Sequence, residues 1–249
     1  MILRRVIAHF RKQEWTAIAI DFVIVVVGVF IGIQVANWNE ARRDRASEET
    51  YLAGLAKDLR GDIAEIDEIV RISTVRIAAM NYLIEKATGG KLPKGFNSAR
   101  GVIEVQPAPP FNESDSGSAG VALFILTTLE GNRLAYETMI NTGGIGLIRD
   151  ASLLRDIQGY YAKAADARDF EVGLKDSRVR LVDAQQAAGI SPVDETPAAA
   201  LATAFGADAR LLAAAKNYWL YTNRHIKLMR DLRSKAEALL DRIGNDGSE

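Results

Sequence analysis

The sequence predicts an all-α protein, with one N-terminal transmembrane helix that continues into a long-helix antiparallel bundle. Three observations lead there. Residues 16–36 hold only two strongly polar side chains, Asp21 and Gln34. Apolar residues then recur at threes and fours through three long segments. Regular periodicity stops in one region, residues 89–120, where Gly, Pro, Ser and Asn dominate.

The predicted organisation is a short cytoplasmic tail over residues 1–14, a transmembrane helix over 15–38, and a soluble helical domain over 39–249. A bilayer core of about 30 Å needs roughly 20 helical residues, and the stretch between Trp15 and Trp38 supplies them, with a tryptophan anchor at each interface. A cleaved secretory leader is the competing reading of a start that contains Arg4, Arg5, Arg11 and Lys12. The apolar run is longer than the usual leader core of about 7–15 residues, and no small-x-small cleavage site follows it. A buried core helix is disfavoured because large apolar residues between Phe22 and Ile33 surround the helix on all sides.

Direction rests on the basic residues flanking the span. Arg4, Arg5, Arg11 and Lys12 stand before it, and Arg42, Arg43 and Arg45 after it. This slim margin, with the shortness of the first tail, predicts a cytoplasmic N-terminus and a periplasmic domain on a bacterial inner membrane. The reverse topology follows if the later arginines dominate.

Within the span, Asp21 opposes insertion, at roughly 2.5–3.5 kcal/mol for a carboxylate at the centre and less toward an end. The apolar residues from Phe22 to Ile33 contribute about −0.3 to −0.6 kcal/mol each, which offsets it. Gly28, Gly32 and Ala36 form a small-xxx-small row that admits a second helix at close range, and Asp21, two turns before Gly28, shares that face. The predicted helix–helix interface is therefore Asp21, Gly28, Gly32 and Ala36. Two readings stay open for the acid: packing or hydrogen bonding across the interface, and proton coupling.

The residues around this face resemble a known pattern. Asp21 and Gly28 are followed by Gln34-Val35-Ala36-Asn37-Trp38-Asn39-Glu40. Further on come Ala135-Tyr136-Glu137-Thr138-Met139-Ile140-Asn141-Thr142-Gly143, Leu147-Ile148-Arg149-Asp150, Leu154-Arg155 and Tyr160-Tyr161. Together they resemble uncharacterised bacterial single-pass membrane proteins whose N-terminal helix ends in Gln-x-x-Asn-Trp-Asn-Glu. That pattern usually has Glu in place of Asp21 and Ser-Gly in place of Thr142-Gly143. The resemblance implies a topology and a helical soluble domain, and it brings no catalytic residue.

In the soluble domain, the first periodic segment reaches about Lys86 through Leu52, Leu55, Leu59, Ile66, Ile77 and Ile84. Glu48, Glu49, Asp58, Asp62, Glu65 and Glu68, interleaved with Lys57, Arg60, Arg71 and Arg76, read as its solvated face. The 89–120 region reads as a disordered loop or a partner contact, with one short strand over 102–105. A helix then ends at Thr142-Gly143-Gly144 in a left-handed cap. The glycines there lack the Gly-Lys-Ser/Thr of a phosphate loop. Asp150 or Ser152 caps a long helix to about Ala188 that buries Leu153, Ile157, Tyr160, Val172 and Val179 among others; Ser191-Pro192 closes it. A short alanine-rich helix follows Pro197, and Asp208 opens the last helix, to about Ile243. Within it Tyr218, Trp219 and Tyr221 read as core, with Arg224, His225, Lys227 and Arg230 as a basic rim.

Several chemistries find no support in the chain. Lys and Arg number 31 against 32 acids, for a net charge of −1, so bulk charge points to no nucleic-acid partner. There are no cysteines. The only histidines are His9 and His225, too few for a multi-histidine metal site, and hydrolase elbows and nucleotide loops are missing. No cofactor, no metal and no enzyme activity are expected. The expected partners are the lipid bilayer and another transmembrane helix, from a second copy or a different protein, in an oligomer or a membrane complex. The function this predicts is an envelope interaction, scaffold or accessory subunit assembled through its transmembrane helix. A proton-coupled, stator-like transducer using Asp21 and a periplasmic sensor or binding module are the alternatives.

Overall fold

The structure, a computed structural model, describes residues 15–98, 101–191 and 194–246. The expected tail 1–14 with His9, the Trp15 side chain and Pro192 lie outside the described residues. Helix α1 runs Trp15–Ala87. Nothing in its sequence breaks it, since the first proline of the chain is Pro93. The chain divides at Thr50/Tyr51 into two units.

In the first unit α1 is apolar and uncovered between Ile20 and Val35, and charged from Glu40 onward. Phe22 is 69% exposed, Ile24 62% and Phe30 60%, and no side chain of the most apolar stretch is buried. By length and composition this part of α1 is sufficient to cross a membrane. Among the described residues one further stretch, 198–244, is comparably apolar, but it is interrupted by a bend of 112°, and Leu201, Phe205, Leu211 and Ala215 within it lie in the core.

The second unit is a helical bundle. The rest of α1 packs with α5 (Ala151–Ala187) and α7 (Ala209–Asp246). Asp67 meets Arg233 and Asn81 meets Trp219, so α7 runs antiparallel to α1. Asp150 meets Arg242 and Glu171 meets His225, so α7 is antiparallel to α5 as well. Asp62 meets Tyr160, and Arg76 lies near Arg178, so α1 and α5 run the same way. A parallel pair needs a crossover, and residues 88–150 provide it.

That crossover contains strands β1 (Phe96–Ser98) and β2 (Gly101–Ile103), paired antiparallel with Phe96 opposite Ile103. Helices α2 (Glu113–Ser116), α3 (Ala119–Phe124) and α4 (Leu134–Asn141) follow, then a 3₁₀ turn at Gly144–Leu147. Helix α6 (Ala198–Ala207) links α5 to α7. The expected strand at 102–105 is thus the second arm of a hairpin, starting one residue and ending two residues earlier than expected. The 89–120 region is held against the bundle and is not a free loop: Ile103, Gln106 and Ala119 are buried. Gln106 receives the Arg230 guanidinium on its side-chain oxygen, and its backbone N–H donates to Asn223.

The crossover descends along α1 in strict reverse order. Phe111 packs on Tyr82, Ile125 receives Arg76, Gly131 donates to Glu65, Asn132 to Asp62 and Ala135 to Asp58, and Thr142 meets Tyr51. Glycine in a helix interior costs about 1 kcal/mol relative to alanine. Here Gly54 and Gly61 are where the crossover comes closest: a Cβ at Gly61 would stand 2.6 Å from the Asn132 amide nitrogen, and one at Gly54 3.1 Å from Ala135. Gly143 takes φ +74°, the left-handed cap anticipated after α4.

Three expectations about side chains change. Asp62 and Arg76 do not belong to a solvated face: they are 2% and 0% exposed, because the crossover covers that side of α1. Val172 and Val179 are exposed, and Glu171 and Ser177 take interior positions of α5 between Ala167, Leu174 and Leu181. Tyr218 and Trp219 are core as expected, but His225 is fully buried and does not sit on a basic rim.

Candidate functional site

Two groups of residues compete for attention, one in each unit. In the first, Asp21, Gly28, Gly32 and Ala36 are all exposed on α1. A Cβ placed at Gly28 or Gly32 would meet nothing within 4 Å, so that face is open. Helical geometry puts the four on one stripe, at intervals of seven and four residues. Trp38 is 62% exposed, with the Arg42 guanidinium 5.9 Å from its ring centroid, an amphipathic combination suited to an interface.

In the second unit, carboxylates from α1 and α5 hold the backbone of one turn. Glu65 accepts from the N–H groups of Glu130 (2.6 Å) and Gly131 (3.0 Å). Asp62 accepts from Asn132 N–H at 2.6 Å and from the Tyr160 hydroxyl at 2.6 Å. Asp58 accepts from Ala135 N–H at 2.8 Å, and Glu171 from Leu129 N–H at 2.9 Å. Charge-assisted bonds of this kind are about twice as strong as neutral ones. The spacing 58, 62, 65 is a visible stripe of acids in the sequence, but only the fold shows that the stripe binds amides instead of water.

Glu171 also receives His225, whose Nε2 lies 2.8 Å from Oε1. With exposures of 2% and 0%, this pair is sealed from solvent. An imidazole meant for proton transfer to a substrate needs access within hydrogen-bond reach, and this one has none in this conformation. Among the described residues no cluster of His, Cys, Asp and Glu has the form of a metal site.

An open groove of about 620 Å³ lies between α5 and α7. Phe170, Ala167, Leu228 and Leu232 form its apolar floor, and Arg224 and Lys235 stand on its rim. Its lining lacks a histidine, a metal-type cluster and an acid pair isolated from cations, since Lys163 and Lys227 neutralise Asp166 and Asp231.

The second stretch of the resemblance has a structural explanation. Tyr136 stacks on Tyr161 with ring centroids 4.0 Å apart. Thr142 meets the Tyr51 hydroxyl at 2.8 Å, and Gly144 lies directly against the Tyr51 ring. Asp150 caps α5 by accepting from Ser152 N–H, and Arg242 binds it from α7. These residues shape the α4–α5 corner, and no ligand is needed to account for them.

The fold and these groups define an all-helical protein with one long, apolar N-terminal helix and an inward-facing polar layer. Over residues 21–91 the chain is similar to a family of unknown function (DUF6090), which takes in the exposed face of α1 and α1 down to its end. The Tyr136–Tyr161 stretch lies outside the matched residues. No curated protein and no solved structure matches the chain.

Proposed function

We propose that this chain is a single-pass inner-membrane protein that serves as an envelope scaffold or accessory subunit, with residues 15–38 in the bilayer and the helical bundle on the periplasmic side. The observation behind this reading is the uncovered apolar surface of α1 in the first unit, where side chains from Ile20 to Val35 are about half exposed or more. So much contiguous apolar surface is unstable in water, and its length matches a bilayer core of about 30 Å. A β-branched, glycine-punctuated helix with one acid is suited to packing against a second helix, because lipid satisfies the valines but not Asp21.

Fractionation with carbonate at high pH tests the anchor: the chain stays in the membrane pellet if α1 spans, and is released if it does not. Fusing alkaline phosphatase after residue 246 tests the side, since the enzyme folds only in the oxidising periplasm. An inactive fusion in the pellet would reverse the topology.

A further inference from the structure

Arg76 is fully buried in the second unit and has no carboxylate partner among the described residues. Its Nη2 donates to the Ile125 carbonyl at 2.6 Å and its Nη1 to Ser73 Oγ at 3.2 Å. The guanidinium lies 5.5 Å from the centroid of the Tyr218 ring. Arg178 reaches the neighbouring carbonyl from α5: its Nη1 donates to Phe124 O at 2.9 Å, and its guanidinium covers the Phe124 ring at 5.2 Å. Consecutive carbonyls at the end of α3 therefore bring two guanidiniums into one place. Like charges so arranged repel, and burial followed by the Arg178 charge lowers the Arg76 pKa against a partial offset from Tyr218.

Three buried donors in this cluster have no acceptor: Arg76 Nε, Arg178 Nε and the Tyr218 hydroxyl. Peptide carbonyls relieve part of the charge but leave these atoms unpaired. An arginine cannot escape by losing its proton, so the buried Arg76 guanidinium, with the partly exposed Arg178 beside it and no carboxylate to balance it, requires charge from elsewhere. A neutral water supplies an acceptor without that charge, whereas an anion supplies both. Tyr218 belongs to the same buried hydrophobic cluster as Ile77 and Leu174, an apolar setting that suits a compact ion without a tail.

We propose that Arg76, Arg178 and Tyr218 form a binding site for a small monovalent anion of chloride size, which completes the junction of α1, α3, α5 and α7. The test uses the full chain in detergent micelles. Sodium chloride is exchanged for sodium gluconate at constant ionic strength, and thermal unfolding is followed by circular dichroism alongside the ³⁵Cl NMR linewidth. The wild type gains melting temperature saturably with chloride and broadens the ³⁵Cl line. Arg178→Gln, at a half-exposed position, retains its helicity and requires about tenfold more chloride, the worth of one charged hydrogen bond. Tyr218→Phe removes an otherwise unpaired hydroxyl and shifts the same midpoint upward. A melting temperature that follows ionic strength alone, or equal linewidths for wild type and Arg178→Gln, overturns the site and leaves water as the occupant.

Discussion

The Tyr160 hydroxyl donates to Asp62 Oδ2 at 2.6 Å, joining α5 to α1 inside the bundle while Asp62 Oδ1 holds the backbone and side chain of Asn132. One carboxylate thus fastens three segments distant in sequence. It is 2% exposed and its bond to the Tyr160 hydroxyl is buried, whereas Asn132 lies at the surface.

Asp62→Ala strands the buried Tyr160 hydroxyl, an unsatisfied group that costs about 1–3 kcal/mol, and also releases the exposed Asn132, whose bonds to Asp62 fasten the crossover to α1. Tyr160→Phe removes a single donor and leaves Asp62 bound to Asn132, so its cost is the smaller of the two. Denaturant unfolding of the detergent-solubilised chain checks the order. Equal effects would mean that Asp62 does not organise the crossover.

Tyr160, Tyr161 and Tyr218 all have pKa values raised above the ordinary 10.0, in each case chiefly by burial, with the Asp62 hydrogen bond adding to the effect at Tyr160. A raised pKa in the folded state means the native protein holds the proton more tightly. The stabilisation is complete below pH ~10 and declines as pH rises through the unfolded-state value toward the folded one. Phenolate absorbance from these three should therefore appear in a cooperative step together with loss of helicity. A smooth titration with helicity intact would contradict their burial.

Gly144 lies against Tyr51, and a Cβ there would stand 2.6 Å from the ring Cζ, whereas one at Gly146 would meet nothing within 4 Å. Gly144→Ala should lower stability by about 1–3 kcal/mol, the usual range for overpacking, and Gly146→Ala should leave the melting temperature nearly unchanged. Similar melting curves for the two would remove the Tyr51 contact from the account.

If α1 spans the bilayer as proposed, Asp21→Asn separates the two roles open to this acid. Asparagine keeps the hydrogen-bonding capacity while removing the charge and the titratable proton, so an assembly role predicts unchanged oligomers and unchanged function. Intact oligomers with abolished function would favour the proton-coupled transducer.

Much of this fold was legible because its signals are local. The periodic run Leu52, Leu55, Leu59, Ile66, Ile77 and Ile84 does turn inward. Asp150 and Gly143 sit where a cap and a left-handed turn were expected. What escaped was the crossover, because its attachments are side chains of α1 reaching backbone amides 65 to 77 residues away. An acid that binds a peptide N–H has the same sequence signature as an acid facing water. His225 escaped for a related reason: its partner Glu171 lies 54 residues away on α5, and basic neighbours gave it the look of a surface residue. The face of Asp21, Gly28, Gly32 and Ala36 was read from spacing alone, and the structure adds that among the described residues nothing stands within 4 Å of a Cβ at Gly28 or Gly32.

A photo-crosslinking amino acid placed at single positions along α1 in native membranes tests that face most directly. Val25 shares the stripe of Asp21 and Gly28, while Val23 and Phe30 lie on the opposite side of the helix. Assembly through this face predicts a protein adduct from Val25 and lipid-only products from Val23 and Phe30. Equal yields around the helix, or no protein adduct at Val25, would contradict it.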